Sequence, residues 1–202
     1  MKTIGFGAAF LAAVTLGAGP LAAAQTSAAP PLSQGPAIPG LCVLSVDQAI
    51  GDSTVGHYVN TRMQQIVAQV KAELAPEQQA IESEDRTLEA QRASLSGATL
   101  QTRSRALQTR FTAFQQKAAL REREVQATQQ KALNRIAQEL DPIARQLYTQ
   151  HRCSVMLNKN AVLISSPAMD LTAEAVTMLN GRIQQFAFDL ENLQTQAAPA
   201  RR

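Results

Sequence analysis

Along the middle of the chain the apolar residues fall into sevens. Val67, Leu74, Ile81, Leu88 and Leu95 hold one heptad position, and Met63 and Val70 begin a second. That is the pattern of a helix with a single apolar seam. At Glu77, Glu84 and Gln91 the second position turns polar, so the seam narrows. Ser94-Leu95-Ser96-Gly97-Ala98-Thr99 then interrupts the pattern, and a Gly among small hydroxylated residues is where one helix ends and another starts. Beyond it Leu100, Leu107 and Phe114 recur by sevens, with Phe111, Ala118 and Val125 filling in. Folding the chain at Gly97-Ala98 sets Leu95 against Leu100, Leu88 against Leu107 and Ile81 against Phe114. The same register sets Val70 against Val125, Met63 against Ala132 and Val59 against Ile136. The pattern therefore predicts an antiparallel helical hairpin over 58–150 with its tip near Gly97. Its first arm would project about 55 Å at about 1.5 Å per residue. Pro76 predicts a kink or one opened turn in that arm. Asp141-Pro142 reads as an N-cap followed by Pro at the first helical position, so the return arm is expected to bend or restart there.

The flanks read differently. Leu41 to Val46 is strand-like, and Cys153 opens a second such region. There Val155–Leu157 and Ala161–Ile164 predict two short strands around a tight turn at Asn158-Lys159-Asn160. A closing helix is expected from Asp170-Leu171-Thr172, capped by Asp170 or Thr172, through Val176, Leu179, Ile183, Phe186 and Leu190. The class is α+β. A small β-sheet body over 41–57 and 151–195 carries one long coiled-coil arm. Three short strands and a helix seldom hold alone, so oligomerisation through the body is expected.

The ends place the protein. Lys2, the apolar run from Ile4 to Leu16 and Ala22-Ala23-Ala24 make 1–24 a secretory signal peptide. Residues 25–40 are a Pro-rich, uncharged tether, and 196–202 a disordered tail. Aromatic residues make up 4% of the chain and Trp is absent, which excludes a large globular core. The net charge of +3 is too small to argue for nucleic acid. In an oxidising compartment Cys42 and Cys153 are expected to pair. If their strands are parallel neighbours the two lie at the same level, which predicts a Cys42–Cys153 disulfide. A redox pair would want C-x-x-C, and a metal site would need further ligands near them, where only His57 and His151 exist. No phosphate loop, G-x-S-x-G or H-E-x-x-H motif is present. The sequence thus predicts no enzyme, no metal and no cofactor.

The order of these pieces resembles the Skp (OmpH-like) periplasmic chaperones. The resemblance lies in the signal peptide, in LCVLSVDQAI, and most specifically in VMLNKNAVLISSPAMDLTAEAV. The arms match in length and periodicity rather than in letters. What the resemblance implies is a jellyfish-like homotrimer whose arms hold unfolded outer-membrane β-barrel proteins without using nucleotide. The long tether and the segment beyond Gly181 depart from that pattern.

On this reading no residue is catalytic. The apolar donors to a client would be Met63, Ile66, Phe111 and Phe114, except where they serve the seam. Arg92, Arg103, Arg105 and Arg110 cluster towards the tip. They suit anionic lipid headgroups or acidic clients, and equally suit ordinary solvated helix positions. The competing reading is a periplasmic coiled-coil adaptor or spacer of the cell envelope.

Overall fold

The computed structural model describes residues 35–196. The expected signal peptide, the expected tether as far as residue 34 and the expected tail beyond residue 196 lie outside the described residues. In chain order the elements are β1 (Leu41–Leu44), α1 (Val46–Gly51), α2 (Thr54–Gln91), α3 (Gly97–Gln150), β2 (Val155–Asn158), α4 (Thr172–Arg182) and α5 (Leu193–Gln196). Two single 3-10 turns, Lys159–Ala161 and Pro167–Met169, fill the stretch between β2 and α4.

Three helices start on a serine whose hydroxyl accepts an otherwise orphaned N–H. Ser45 accepts from Gln48, Ser53 from Gly56 and Ser96 from Thr99. Ser45 thereby ends β1 two residues short of the expected Val46 and turns the chain into α1, an element the apolar pattern did not announce. Ser53 also donates to the Ile50 carbonyl at 2.7 Å, locking the corner between α1 and α2. The tip turn occupies residues 92–96, and Gly97 is the first residue of α3 rather than the turn itself.

α2 has 38 residues and α3 has 54, about 57 Å and about 81 Å of helix at about 1.5 Å per residue. Neither breaks at its proline. Pro76 and Pro142 both lie inside helix, so the expected opening at the first and restart at the second do not occur. Asp141 caps nothing. It accepts instead from Arg145 one turn on, at 2.8 Å, leaving Pro142 to lose a single helical hydrogen bond.

The sheet is a pair of parallel strands, with Leu41 opposite Val155 and Leu44 opposite Asn158. The expected third strand over 161–164 is absent. The Asn158 side chain accepts the Asn160 N–H at 3.0 Å and bends the chain into a 3-10 turn. The second partner of β1 is a single bridge from Val43 to Asp170. α4 ends at Arg182, where Ile183 is already extended, so the closing helix does not reach Leu190.

Two apolar cores result. The large one sits at the base, where Val55, Ile66, Ile136, Leu147 and Leu179 are fully buried between β1, α1, α4 and the near ends of α2 and α3. The small one lies near the tip and joins Ile81, Leu88 and Leu107 with the half-buried Leu95, Leu100 and Phe114. All three tip layers of the expected register share that cluster. Met63, Ala132, Val59 and Ile136 share the base core in the same way.

Candidate functional site: the arm and its base

The chain leaves β1 through α1, makes the arm and returns at β2. Parallel strands require such a crossover, and here the crossover is the arm. Cys42 and Cys153 close it with a disulfide, Cα to Cα 5.8 Å across a separation of 111 residues. The register sets Cys42 against Met156, however, so the cysteines are not at one level and Cys153 lies ahead of β2. Arg152, at φ 51°, caps α3 in the left-handed region. The turn it makes lets the Gly40 carbonyl accept the N–H groups of Ser154 and Val155, at 2.6 and 3.0 Å.

The return of the chain is fastened by a second polar network. Lys159 donates to Asp170 at 2.6 Å. Asp170 accepts from both the N–H and the hydroxyl of Thr172, and the Thr172 hydroxyl oxygen accepts the Ser45 N–H at 2.9 Å. Burial pushes the Asp170 carboxyl up, but the hydrogen bonds from Lys159 and Thr172 outweigh it and hold the group below its usual range. Asp170 thus ties the segment after β2 to the start of α4 and to the end of β1.

The arm is ionic between the two cores and alongside the tip one. Glu73 accepts from Arg121 at 3.0 Å, Glu77 from Lys117 at 3.1 Å, and Glu84 from Arg110. These pairs cross from α2 to α3 in the positions that flank a coiled-coil seam. The hydrogen bond from Arg121 is the main reason that the Glu73 carboxyl titrates below its usual range. Arg121 also donates to Glu124 at 2.6 Å, and Glu124 is fully buried.

What buries Glu124 is the segment after α4, which runs back along the arm as an extended strap. The Glu191 N–H donates to Thr128 at 2.9 Å and the Leu193 N–H donates to Glu124 at 3.1 Å. Arg62 of α2 reaches the Phe188 carbonyl at 3.4 Å and the Asp189 carboxylate at 2.6 Å. Lys131 meets Glu191 at 2.6 Å. Along the strap Phe186, Phe188 and Leu190 are half-buried and pack on the base core, while Ala187 and Asp189 are exposed. Phe188 meets Tyr58 edge-on at 6.4 Å between ring centroids. The alternation of FAFDL stands in the sequence, but Phe186 and Leu190 also fit the helical spacing from Val176, Leu179 and Ile183 that extended α4, and only Phe188 does not. The buried pair Glu124 and Thr128 carried no sequence signal, because both are ordinary polar residues of a helix.

The apolar residues expected to meet a client divide. Met63 and Ile66 belong to the base core and are buried, so an accessible role for them is corrected by the packing. Phe114 is half-buried in the tip cluster, and Phe111 alone of the four is exposed, at 41%. The tip arginines also divide. Arg92 pairs with Glu89 at 3.5 Å, Arg103 donates to the Gln91 side chain at 2.9 Å and Arg110 pairs with Glu84. Arg105 is exposed, with no ion pair among the described residues. Among the described residues no helix is long and apolar enough to cross a membrane, and no group of three or more His, Cys, Asp or Glu could hold a metal ion.

Comparison with known proteins gives a family. A family model described as Outer membrane protein (OmpH-like) matches residues 40–179. A solved structure of a candidate outer membrane chaperone (OmpH-like) from Caulobacter crescentus CB15 is 41% identical in sequence, with a TM-score of 0.72. The match covers 81% of this chain and 97% of that one. No curated protein matches the chain significantly.

Proposed function

The chain belongs to the OmpH-like outer membrane protein family, and on that premise we propose that it is a periplasmic, ATP-independent holdase. In this reading it keeps unfolded outer-membrane β-barrel proteins soluble between the helical arms of a homotrimer. Family membership supports the chaperone role. The observation that carries the finer reading is the arm itself, long and wet, with an ionic middle between two modest apolar cores and a disulfide-stapled base. Such an arm can flex and offer many weak contacts, and a client held loosely needs no chemical step for release.

The trimer has support in the body. β2 has β1 as its one strand neighbour among the described residues. Exposed on β2 and on the segment that follows it are Val155 (48% exposed), Leu157 (37%), Leu163 (99%) and Ile164 (68%). A two-stranded sheet with so much apolar surface in water is not self-sufficient. Further copies packed on that edge would cover it. Export through a cleaved signal peptide belongs to the same reading.

The test is light-scattering mass of residues 25–202, alone and after dilution of a urea-unfolded outer-membrane barrel protein into it. The expected result is a trimer that gains the mass of one client and keeps it soluble. A mass unchanged while the client precipitates overturns the holdase reading in favour of an envelope adaptor.

A further inference from the structure

The strap occupies its groove in a way that does not depend on its own side chains alone. Thr128 and Glu124 are one helical turn apart on α3, and they accept N–H groups from Glu191 on the strap and from Leu193, two residues on, where the strap passes into α5. One turn of four residues rises about 6 Å, and two residues of extended chain span about 6.6 Å. The match lets a helix present side-chain acceptors at the repeat of an extended backbone. From the other wall Arg62 donates to a strap carbonyl. The groove therefore binds main chain from both sides, as a sheet edge does in strand addition.

Side chains of the strap are sorted by the same geometry. Every second residue, Phe186, Phe188 and Leu190, faces the arm, and the carboxylates of Asp189 and Glu191 meet Arg62 and Lys131. The fit is not closed. A cleft of about 910 Å³ remains between the strap and α3, reaching Lys131 and Arg135, and a second of about 290 Å³ lies on the α2 side by Tyr58 and Arg62. The strap also lies wholly beyond the region matched by the family, which ends at residue 179.

We propose that this groove is a docking site for extended client segments whose apolar residues alternate with polar or acidic ones, and that the strap is its resident occupant, displaced when a client binds. The proposal rests on the chaperone reading and gives that reading a site. Strands of outer-membrane barrels alternate apolar and polar residues along their length, so an unfolded barrel protein carries many segments of the strap's design. The strap competes as a tethered ligand at high effective concentration. Weak client segments exchange with it, and Glu124 keeps a partner in either state.

The test uses the full mature chain and a fluorescent peptide of the strap's sequence, QFAFDLENLQ, read by anisotropy. Two strap-loosened variants are compared with the wild type. Phe186→Ser/Phe188→Ser removes the apolar anchors, and Asp189→Lys/Glu191→Lys keeps them but reverses both ion pairs. Circular dichroism establishes that each is folded. Both are expected to bind the peptide about tenfold or more tightly than the wild type, because the resident occupant has been weakened. Thr128→Val in either background should reduce that binding, and a peptide of the same composition with adjacent phenylalanines should bind poorly. Equal binding by wild type and folded variants, or indifference to the alternation, overturns the proposal. An unfolded barrel protein added in parallel separates the two levels. If the wild type suppresses its aggregation and the peptide result is negative, only the groove fails. If no form suppresses aggregation, the chaperone reading fails, and the peptide result still decides whether the groove binds extended chain.

Discussion

Cys42 and Cys153 stand 111 residues apart in sequence and 5.8 Å apart between Cα atoms, and nearly the whole arm lies between them. The covalent link fixes both roots of the arm to one end of a two-stranded sheet. Its effect belongs mostly to the unfolded chain, where it removes the entropy of a very large loop. Replacing both cysteines by Ser should therefore lower stability by about 2–4 kcal/mol while leaving helix content unchanged. Urea unfolding followed by circular dichroism, with and without reductant, measures this. An unchanged urea midpoint would show that the base core alone fixes the roots.

Gly56 packs in the corner made by Ser53, and a Cβ there would overlap the Ile50 carbonyl oxygen. Gly56→Ala should cost about 1–3 kcal/mol, because backbone rather than a flexible side chain must move. Gly51, with open space around its Cβ position, is the internal control. Ala there should be neutral or slightly stabilising. Thermal melts of the two variants should move apart, with Gly56→Ala the lower.

Arg121 lies between the half-exposed Glu73 and the fully buried Glu124. Arg121→Met leaves a buried carboxylate with one charged partner fewer, so it should cost about 2 kcal/mol or more. Lys117→Met removes a cation from Glu77 and Glu73 at a more open position and should cost under about 1 kcal/mol. Equal losses in chemical unfolding would mean that the buried pair contributes no more than a surface one.

Ile66 and Phe111 test which apolar side chains belong to the fold and which are offered to a client. Ile66 is buried, and Ile66→Ala should cost about 2–5 kcal/mol. Phe111 is exposed, and Phe111→Ala should leave the melting temperature nearly unchanged while weakening suppression of client aggregation. A Phe111 variant that loses stability instead would place that ring in the seam.

Acid should loosen the base. Hydrogen bonds from Arg182 and then Arg135 hold the Glu139 carboxyl below its usual range, and Asp170 is held low by Lys159 and Thr172 against its burial. A carboxyl depressed in the folded state binds its proton more readily in the unfolded chain. Its stabilisation is therefore complete above the unfolded value of about 4 and drains away as pH falls through the folded value. Melting temperature should be flat from about pH 6 to 8 and fall below about pH 4. Asp170→Asn should shrink that fall, and a variant with the wild-type acid slope would remove Asp170 from the account.

The arm was legible because a heptad repeat is a local signal that a helix expresses wherever it sits. Leu88 and Leu107, or Ile81 and Phe114, needed only their spacing from the tip to be paired. The serine caps at Ser45, Ser53 and Ser96 are settled within one turn as well, but the apolar pattern did not read them: it missed α1 and began the arm at Tyr58 rather than Thr54. The body was harder to read. Ala161–Ile164 has the composition of a strand, but a strand exists only where a neighbour offers its N–H and C=O groups, and this chain has no free edge there that its own residues fill. Helical periodicity carried the reading of α4 on to Leu190, although Phe186, Phe188 and Leu190 fit an extended strap as well. Only the grooved surface of the arm, with Thr128 and Glu124 as acceptors, chose between the two. The sequence by itself determined the two arm helices, whose energetics are local, their register, through a heptad repeat on both sides of one turn, and the cysteine pairing, because the chain has only two. Tertiary structure decided the distant contacts that no repeat announces, the Asp170 network at the base and the strap on Thr128 and Glu124, because those hydrogen bonds and burials have no period for a sequence to display.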